Sequence, residues 1–190
     1  MSNGPHGRPD TPFELLLAGV VSGDASAGSE LFARFQPALI RYLRAREPRV
    51  ADDLAADVWV AVAGSVGSFE GNEQQFRAWI FTIARRQVAG HRRTGIRRRT
   101  DVVDTSALEQ IPSRDDPARQ VIDASSSQDA IARMMRHISE DQAEVLLLRV
   151  VAELDVAEVA LIVGRSENWV RVTQHRALRR LAERLRQKEL

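Results

Sequence analysis

The chain has no cysteine, which excludes disulfides and thiolate metal sites and suits a reducing cytosol. It has no apolar run approaching the roughly 20 residues that span a bilayer, so no membrane insertion of its own is expected. Its first ten residues, MSNGPHGRPD, lack the apolar segment of a secretory signal. Lysine occurs once, at Lys188. The positive charge is therefore almost all arginine, a choice that a GC-rich genome explains as well as chemistry does. The four histidines, His6, His91, His137 and His175, are too dispersed for a ligand set. No phosphate-binding loop, nucleophile elbow or zinc-protease motif is present. No catalytic residue, metal site or cofactor is expected, and an enzyme is the least favoured class. No stretch has the period-two alternation of a strand.

What is present is a helical chain with sharply segregated charge. Its 190 residues suffice for one ordinary domain or two small ones, and 44% of them are hydrophobic, enough to bury a core. The net charge of +1 conceals strong local fields. Residues 74–100 hold eight arginines and no acid. Residues 101–129 hold seven acids and two arginines, and residues 165–190 hold eight basic side chains and three acids.

Residues 1–10 are rich in Gly and Pro and are predicted to be disordered. Thr11-Pro12-Phe13-Glu14 has the form of a capping box, predicting a helix to about Val21 that stops at Gly23. A second helix follows over about residues 27–46, with Leu31, Phe32, Phe35, Leu39, Ile40 and Leu43 near helical period and Pro37 expected to kink it. A third spans about 50–63. A fourth begins near Asn72, carries Phe76, Trp79, Ile80 and Ile83 on one face, and is expected to break at Gly95. Residues 100–127 are aperiodic, acidic and Ser/Pro-punctuated, the pattern of a flexible linker. Beyond it, helices are predicted over about 128–137, 143–151 with a Ser139/Gln142 capping box, 156–163 with an Asp155/Glu158 box, and 167–187 capped by Ser166. The predicted fold is all-α: two small helical domains, residues 11–99 and 128–190, joined by the linker at 100–127.

Residues 155–181 read as a helix-turn-helix. Ala160, Gly164 and Val170 fall where that motif needs a small residue, a turn residue and a buried apolar one. The second helix offers Asn168, Trp169, Arg171, Thr173, Gln174, His175, Arg176 and Arg179, a set suited to base edges and phosphates. The competing reading is a basic amphipathic helix packing a bundle, and Trp169 fits a core anchor as well as a DNA contact. The arginine tract, Arg85-Arg86, His91-Arg92-Arg93 and Arg97-Arg98-Arg99, extends a helix bearing Phe76, Trp79 and Phe81. Arginine beside aromatic rings suits single-stranded bases. A solvated charged face explains the tract too, and the spacing of Phe76 and Trp79 also fits a core. Asp53 and Asp57 share one helix face, but no His or Glu cluster accompanies them, and acids near a helix start are common for dipole reasons.

Several segments in order resemble the extracytoplasmic-function (ECF) sigma factors, small members of the sigma-70 family with two conserved sigma domains. They are Asp53-Leu54 with Asp57, Gly67-Ser68-Phe69-Glu70-Gly71, Phe76-Arg77-Ala78-Trp79-Ile80 with Ile83-Ala84-Arg85, Glu144-Val145-Leu146-Leu147-Leu148-Arg149, and Ser166-Glu167 with Val170-Arg171 and His175-Arg176-Ala177-Leu178-Arg179-Arg180-Leu181. The resemblance covers about residues 12–99 and 128–187. It implies a sigma2-like bundle and a sigma4-like helix-turn-helix domain. Asp53, Asp57 and Trp59 would dock on the largest-subunit clamp of core RNA polymerase. Arg85, Arg86, His91, Arg92, Arg93 and Arg97 would capture and melt the −10 element. Arg149, Ser166, Asn168, Trp169, Arg171, Thr173, Gln174, His175, Arg176 and Arg179 would serve the −35 element. Partners so implied are the polymerase clamp and flap, promoter DNA and an anti-sigma factor, all in the cytoplasm.

The chain departs from the family pattern in places. The usual Gln-Glu of the clamp-binding helix is Ala56-Asp57. A common Asn after Ile-Ala-Arg is Arg86, and the common Gly-Thr and Ser-Arg of the recognition helix are Asn168-Trp169 and Val172-Thr173. The Tyr/Ser-x-Glu-Ile pattern of the preceding helix reads Val156-Ala157-Glu158-Val159. Promoter sequence is therefore not carried over from relatives. The alternative reading is a helix-turn-helix regulator that binds duplex DNA without being a polymerase subunit. It predicts a sensor or dimerisation domain where this chain has an aromatic-basic tract. A third, an adaptor that binds polymerase without reading DNA, leaves the second basic helix unexplained.

Overall fold

The computed structural model describes residues 11–101, 134, 135 and 137–188, with side chains described to Thr94 in the first stretch and to Gln187 in the last. The expectations for residues 1–10, most of the linker and most of the helix from 128 lie outside these residues.

Helix α1, Phe13–Val21, buries Phe13 and Leu16. The capping box expected at Thr11 does not form. Pro12 occupies the cap position and has no side-chain acceptor, while Thr11 donates from its backbone N and its hydroxyl to the Glu30 carboxylate at 3.2 and 3.0 Å. Helix α2, Ala25–Arg46, starts at Asp24, whose carboxylate accepts the Ser26 N–H. A methyl group at Gly19 would lie 2.7 Å from the Ala27 Cβ, so glycine there lets α1 and α2 close up. Pro37 sits on the exposed side of α2, and the helix continues through it. Its opposite face buries Leu31, Phe35, Leu39, Tyr42 and Leu43. Helix α3, Ala51–Ser65, buries Leu54, Ala55, Val58 and Val62.

Helix α4, Glu73–Asp101, opens with a reciprocal cap in which Asn72 Oδ1 accepts the Gln75 N–H and Gln75 Oε1 accepts the Asn72 N–H, both at 2.9 Å. It runs through Gly95 rather than breaking there. One helical glycine costs about 1 kcal/mol, too little to end a helix with good helix formers on both sides. Phe76 is the hub of an aromatic cluster: its ring lies 5.0–5.4 Å from those of Phe13, Phe35, Phe69 and Trp79.

The second bundle begins with α5, Glu140–Leu146, which has the expected Ser139/Gln142 box and widens into a π turn over Leu147–Val151. Helix α6, Val156–Val163, has the expected Asp155/Glu158 box and ends at Gly164, whose φ of 66° is left-handed. Helix α7, Glu167–Lys188, is capped by the Ser166 hydroxyl, which accepts the Trp169 N–H at 3.2 Å. The two bundles also pack on each other. Helix α4 lies against α6 and α2 against the π turn, and one apolar cluster runs from Phe13 and Phe35 through Phe81 to Val159 and Val170.

Candidate nucleic-acid interface

Three surfaces carry the residues singled out above. On the first, α3 presents Asp53 and Asp57 to solvent beside exposed Ala56 and Val60. Trp59 is half-buried at the edge of this face. Its indole N–H donates to Gln36 Oε1 at 2.7 Å and its ring meets Phe32 of α2 at 5.1 Å. Phe32 and Val60 remain 45% and 73% exposed, so the patch pairs exposed carboxylates with uncovered apolar surface. Such a patch fits a protein partner better than a metal, and among the described residues no acid or histidine cluster could hold one.

The second surface is the basic flank of α4. Arg86, His91 and Arg93 are exposed. Arg97 lies in the last turns of the helix, where side chains fall outside the described residues. Arg85 and Arg92 are already engaged by the second bundle. Arg85 Nε is 3.7 Å from Glu144 Oε1, and its Nη1 donates to the Ile162 carbonyl at 3.3 Å. Arg92 pairs with Glu47 and with Glu140, the latter at 2.7 Å. Of the aromatics expected beside the bases, Phe76 and Phe81 are wholly buried. They belong to the core, because their spacing follows the buried face of α4. Only Trp79 is partly open, and it lines a pocket of about 400 Å3 with Phe69, Glu70 and Arg86.

Between the bundles lies a polar network that the sequence reading did not find. Glu144, 3% exposed, accepts the Tyr42 hydroxyl at 2.8 Å, and its other oxygen lies 3.1 Å from Arg46 Nη2. Arg46 Nη2 also reaches Glu140 at 2.8 Å, while its Nε has no hydrogen-bond partner among the described residues. Burial, with the Glu144 charge second, raises the Tyr42 hydroxyl well above its ordinary pKa. Burial works against the Arg46 charge, but Glu144, Tyr42 and Glu140 outweigh it and its pKa rises. The hydrogen bond from Arg46 lowers the pKa of Glu140. Nearby, buried Glu158 sits 3.5 Å from Arg77 Nε, and burial raises its pKa despite the Asp155 N–H and Arg77. Gln74 donates to Asp155 at 2.7 Å, and Arg41 to the Val151 carbonyl at 3.0 Å. A signal for this network did exist: Glu144 is a lone acid inside the apolar run from Ala143 to Leu148.

The third surface is α7. Asn168, Arg171, Val172, His175, Arg176 and Arg179 are all exposed, at spacings that make one stripe behind the Gly164 turn. Arg171 pairs with Glu167 and Arg179 with Glu183, each one turn away. Five residues expected as readers are committed elsewhere. Thr173 is buried, because it falls on the opposite face with Val170 and Ala177. Gln174 accepts from Arg149 Nε at 3.1 Å, and Arg149 also donates to the Leu154 carbonyl, so both brace α7 against the loop before α6. Half-buried Trp169 packs on the core with Arg165 over its ring. Ser166 is exposed but serves as the cap.

Residues 31–99 match Sigma-70 region 2 and residues 128–181 match Sigma-70 region 4. The chain is 33% identical over 182 residues to the ECF RNA polymerase sigma factor ShbA of Streptomyces griseus, covering 90% of this chain and 94% of that protein. It is 32% identical over 181 residues to the ECF RNA polymerase sigma factor SigD of Mycobacterium tuberculosis, covering 90% and 83%. The fold is shared with CnrH, solved in complex with the cytosolic domain of CnrY, at a TM-score of 0.68 and 22% identity over 90% of this chain and 95% of that one. It is also shared with RpoE of Bartonella quintana, solved in complex with the anti-sigma factor NepR, at 0.63 and 23% over 85% and 98%. With both regions matched in order and relatives covering nine-tenths of its length, this chain belongs to the ECF sigma factors of the sigma-70 family.

Proposed function

We propose that this chain acts as a dissociable initiation subunit, without catalysis of its own, that brings core RNA polymerase to a promoter in the cytoplasm and opens the DNA there. The exposed stripe on α7 behind the Gly164 turn carries this reading, since it offers both hydrogen-bonding and cationic groups to a major groove. Asn168 and Arg171 read −35 base edges, with His175 beside them. Arg176 and Arg179, further along, contact phosphates. Arg149, Gln174, Trp169 and Ser166 hold the helix in place, and Thr173 supports it from within.

The α2–α3 patch around Asp53, Asp57 and Trp59 docks on the polymerase clamp, and the second domain on the flap. The flank of α4 takes the −10 strand: Arg85, Arg86 and His91 near the bases, Arg92, Arg93 and Arg97 on phosphates. For this, Arg85 and Arg92 must exchange carboxylate partners for nucleic acid, so the second bundle has to leave α4 when promoter binds. An anti-sigma factor that holds the bundles together would block the same step.

Run-off transcription from a promoter library tests the reading. Purified chain plus core polymerase is expected to give promoter-specific transcripts. Specific duplex binding by the chain alone, with no stimulation of core, would instead make it a conventional regulator.

A further inference from the structure

The solvent-facing side of α7 carries one large apolar side chain among polar ones. Val170, Thr173, Ala177 and Leu181 form the buried row of the helix. From the turn angle of an α-helix, Val172 stands roughly 145° around α7 from that row. It is 37% exposed. Its neighbours one turn away are Asn168, His175 and Arg176, all exposed, and exposed Arg171 precedes it in the chain. Leu178 and Leu185 are exposed on the same helix. They stand only roughly 75–95° from the buried row, where a long side chain can lap over the core. Among the described residues, Val172 is thus the one large apolar side chain on the far face of α7. The helix gains nothing from it, because a β-branched residue is a poorer helix former than alanine or arginine and here leaves apolar surface in water.

What a valine can meet in a major groove is limited. The edges of all four bases present hydrogen-bonding groups there, and covering one of these with an isopropyl group leaves it unpaired. Thymine alone adds a methyl group, at C5. Contact between that methyl and Val172 removes apolar surface from water on both sides and costs no hydrogen bond. Asn168 on one side of Val172, and His175 and Arg176 on the other, can take the neighbouring base edges or phosphates.

We propose that Val172 is a specificity-determining residue of the −35 contact and reads one thymine through its C5 methyl group. The proposal rests on the reading that α7 enters the major groove of the −35 element. It adds an apolar reader to a stripe that otherwise acts through hydrogen bonds and charge.

The test uses the chain with core polymerase and duplex promoters selected from a library randomised across the −35 element. One position is expected to be enriched in thymine. Replacing that thymine by deoxyuridine removes the methyl group alone and is expected to weaken binding about fourfold, the worth of one buried methylene. At the same position 5-methylcytosine should bind more tightly than cytosine by about the same factor. Val172→Ala, which withdraws the side chain from the groove, should cut both methyl effects to less than about twofold. Position 172 is exposed and alanine is the better helix former, so the variant should fold as the parent does. Methyl effects of the parent's size in Val172→Ala overturn the assignment, because another group then reads the methyl. A parent that prefers some −35 sequence but shows no methyl effect at any thymine overturns it as well. If no −35 sequence is selected, and Arg171→Ala and Arg176→Ala leave binding unchanged, the reading of α7 as the −35 helix falls along with it.

Discussion

Replacing Glu144 with alanine removes the centre of the network between the bundles. Three groups lose their partner at once: the Tyr42 hydroxyl at 2.8 Å, Arg46 at 3.1 Å and, more weakly, Arg85 at 3.7 Å. Tyr42 is fully buried, and Glu144 is the acceptor its hydroxyl loses. An unsatisfied buried hydroxyl costs about 1–3 kcal/mol. The Arg46 side chain is 10% exposed but retains Glu140, so its charge is not orphaned. Removing one member of a buried pair costs about 3–5 kcal/mol, and the surviving Glu140 places this case near 3. The two penalties describe one event and do not add.

Urea unfolding measures the effect, since the bundles share one apolar cluster and should melt together. The Arg171→Ala variant, which breaks an exposed one-turn pair, is the control, with an expected loss of about 0.5 kcal/mol or less. Tyr42→Phe alone should cost about 1 kcal/mol, and adding it to Glu144→Ala should cost almost nothing more, because the hydroxyl then has no acceptor to lose. The same loosening should free Arg85 and tighten binding of the chain to single-stranded DNA. A loss of under 1 kcal/mol for Glu144→Ala, with additive Tyr42→Phe, would refute the buried network as a determinant of the closed arrangement.

Phe76→Ala should destabilise by about 3–5 kcal/mol in the same assay, because four rings close on it in a site with no solvent. Asp53→Arg with Asp57→Arg should weaken capture of core polymerase in a pull-down without lowering the melting temperature, since both are exposed and neither is paired among the described residues. Selection of −35 variants should separate the α7 residues. Arg171→Ala relaxes one base pair at a cost of about 1–3 kcal/mol and Arg176→Ala weakens all sequences alike, while Thr173→Ala lowers stability and leaves the selected sequence unchanged. Acid should remove the Glu140 contribution. Its pKa is depressed in the fold, so that stability is complete above the ordinary value of 4.5 and is lost below it, as pH falls through the depressed value of the folded state. Urea midpoints should show Glu140→Gln losing less than the parent across that window.

The contrast between Thr173 and Asn168 shows what kind of information the sequence carried. Helix positions, both capping boxes of the second bundle and the Gly164 turn are local features, set by residues three or four apart, and they were legible. Thr173 has the hydrogen-bonding chemistry of a base reader, yet its helical phase with Val170 and Ala177 puts it inside. Periodicity outranks chemistry here, because burying a whole apolar face outweighs one polar contact. Phe76 and Phe81 follow the same rule. The failures at Thr11 and Glu144 are of another kind. Thr11 finds its acceptor at Glu30, 19 residues away, and Glu144 finds Tyr42 at a separation of 102. No local pattern encodes such a partner, so an acid inside an apolar run announces only that something must meet it. What meets Glu144 includes Arg85, one of the residues read as facing the −10 strand. On the proposed −10 reading, the carboxylates that close the fold compete with promoter DNA for the same cationic groups. One set of side chains would then link the stability of the free subunit to its affinity for the promoter.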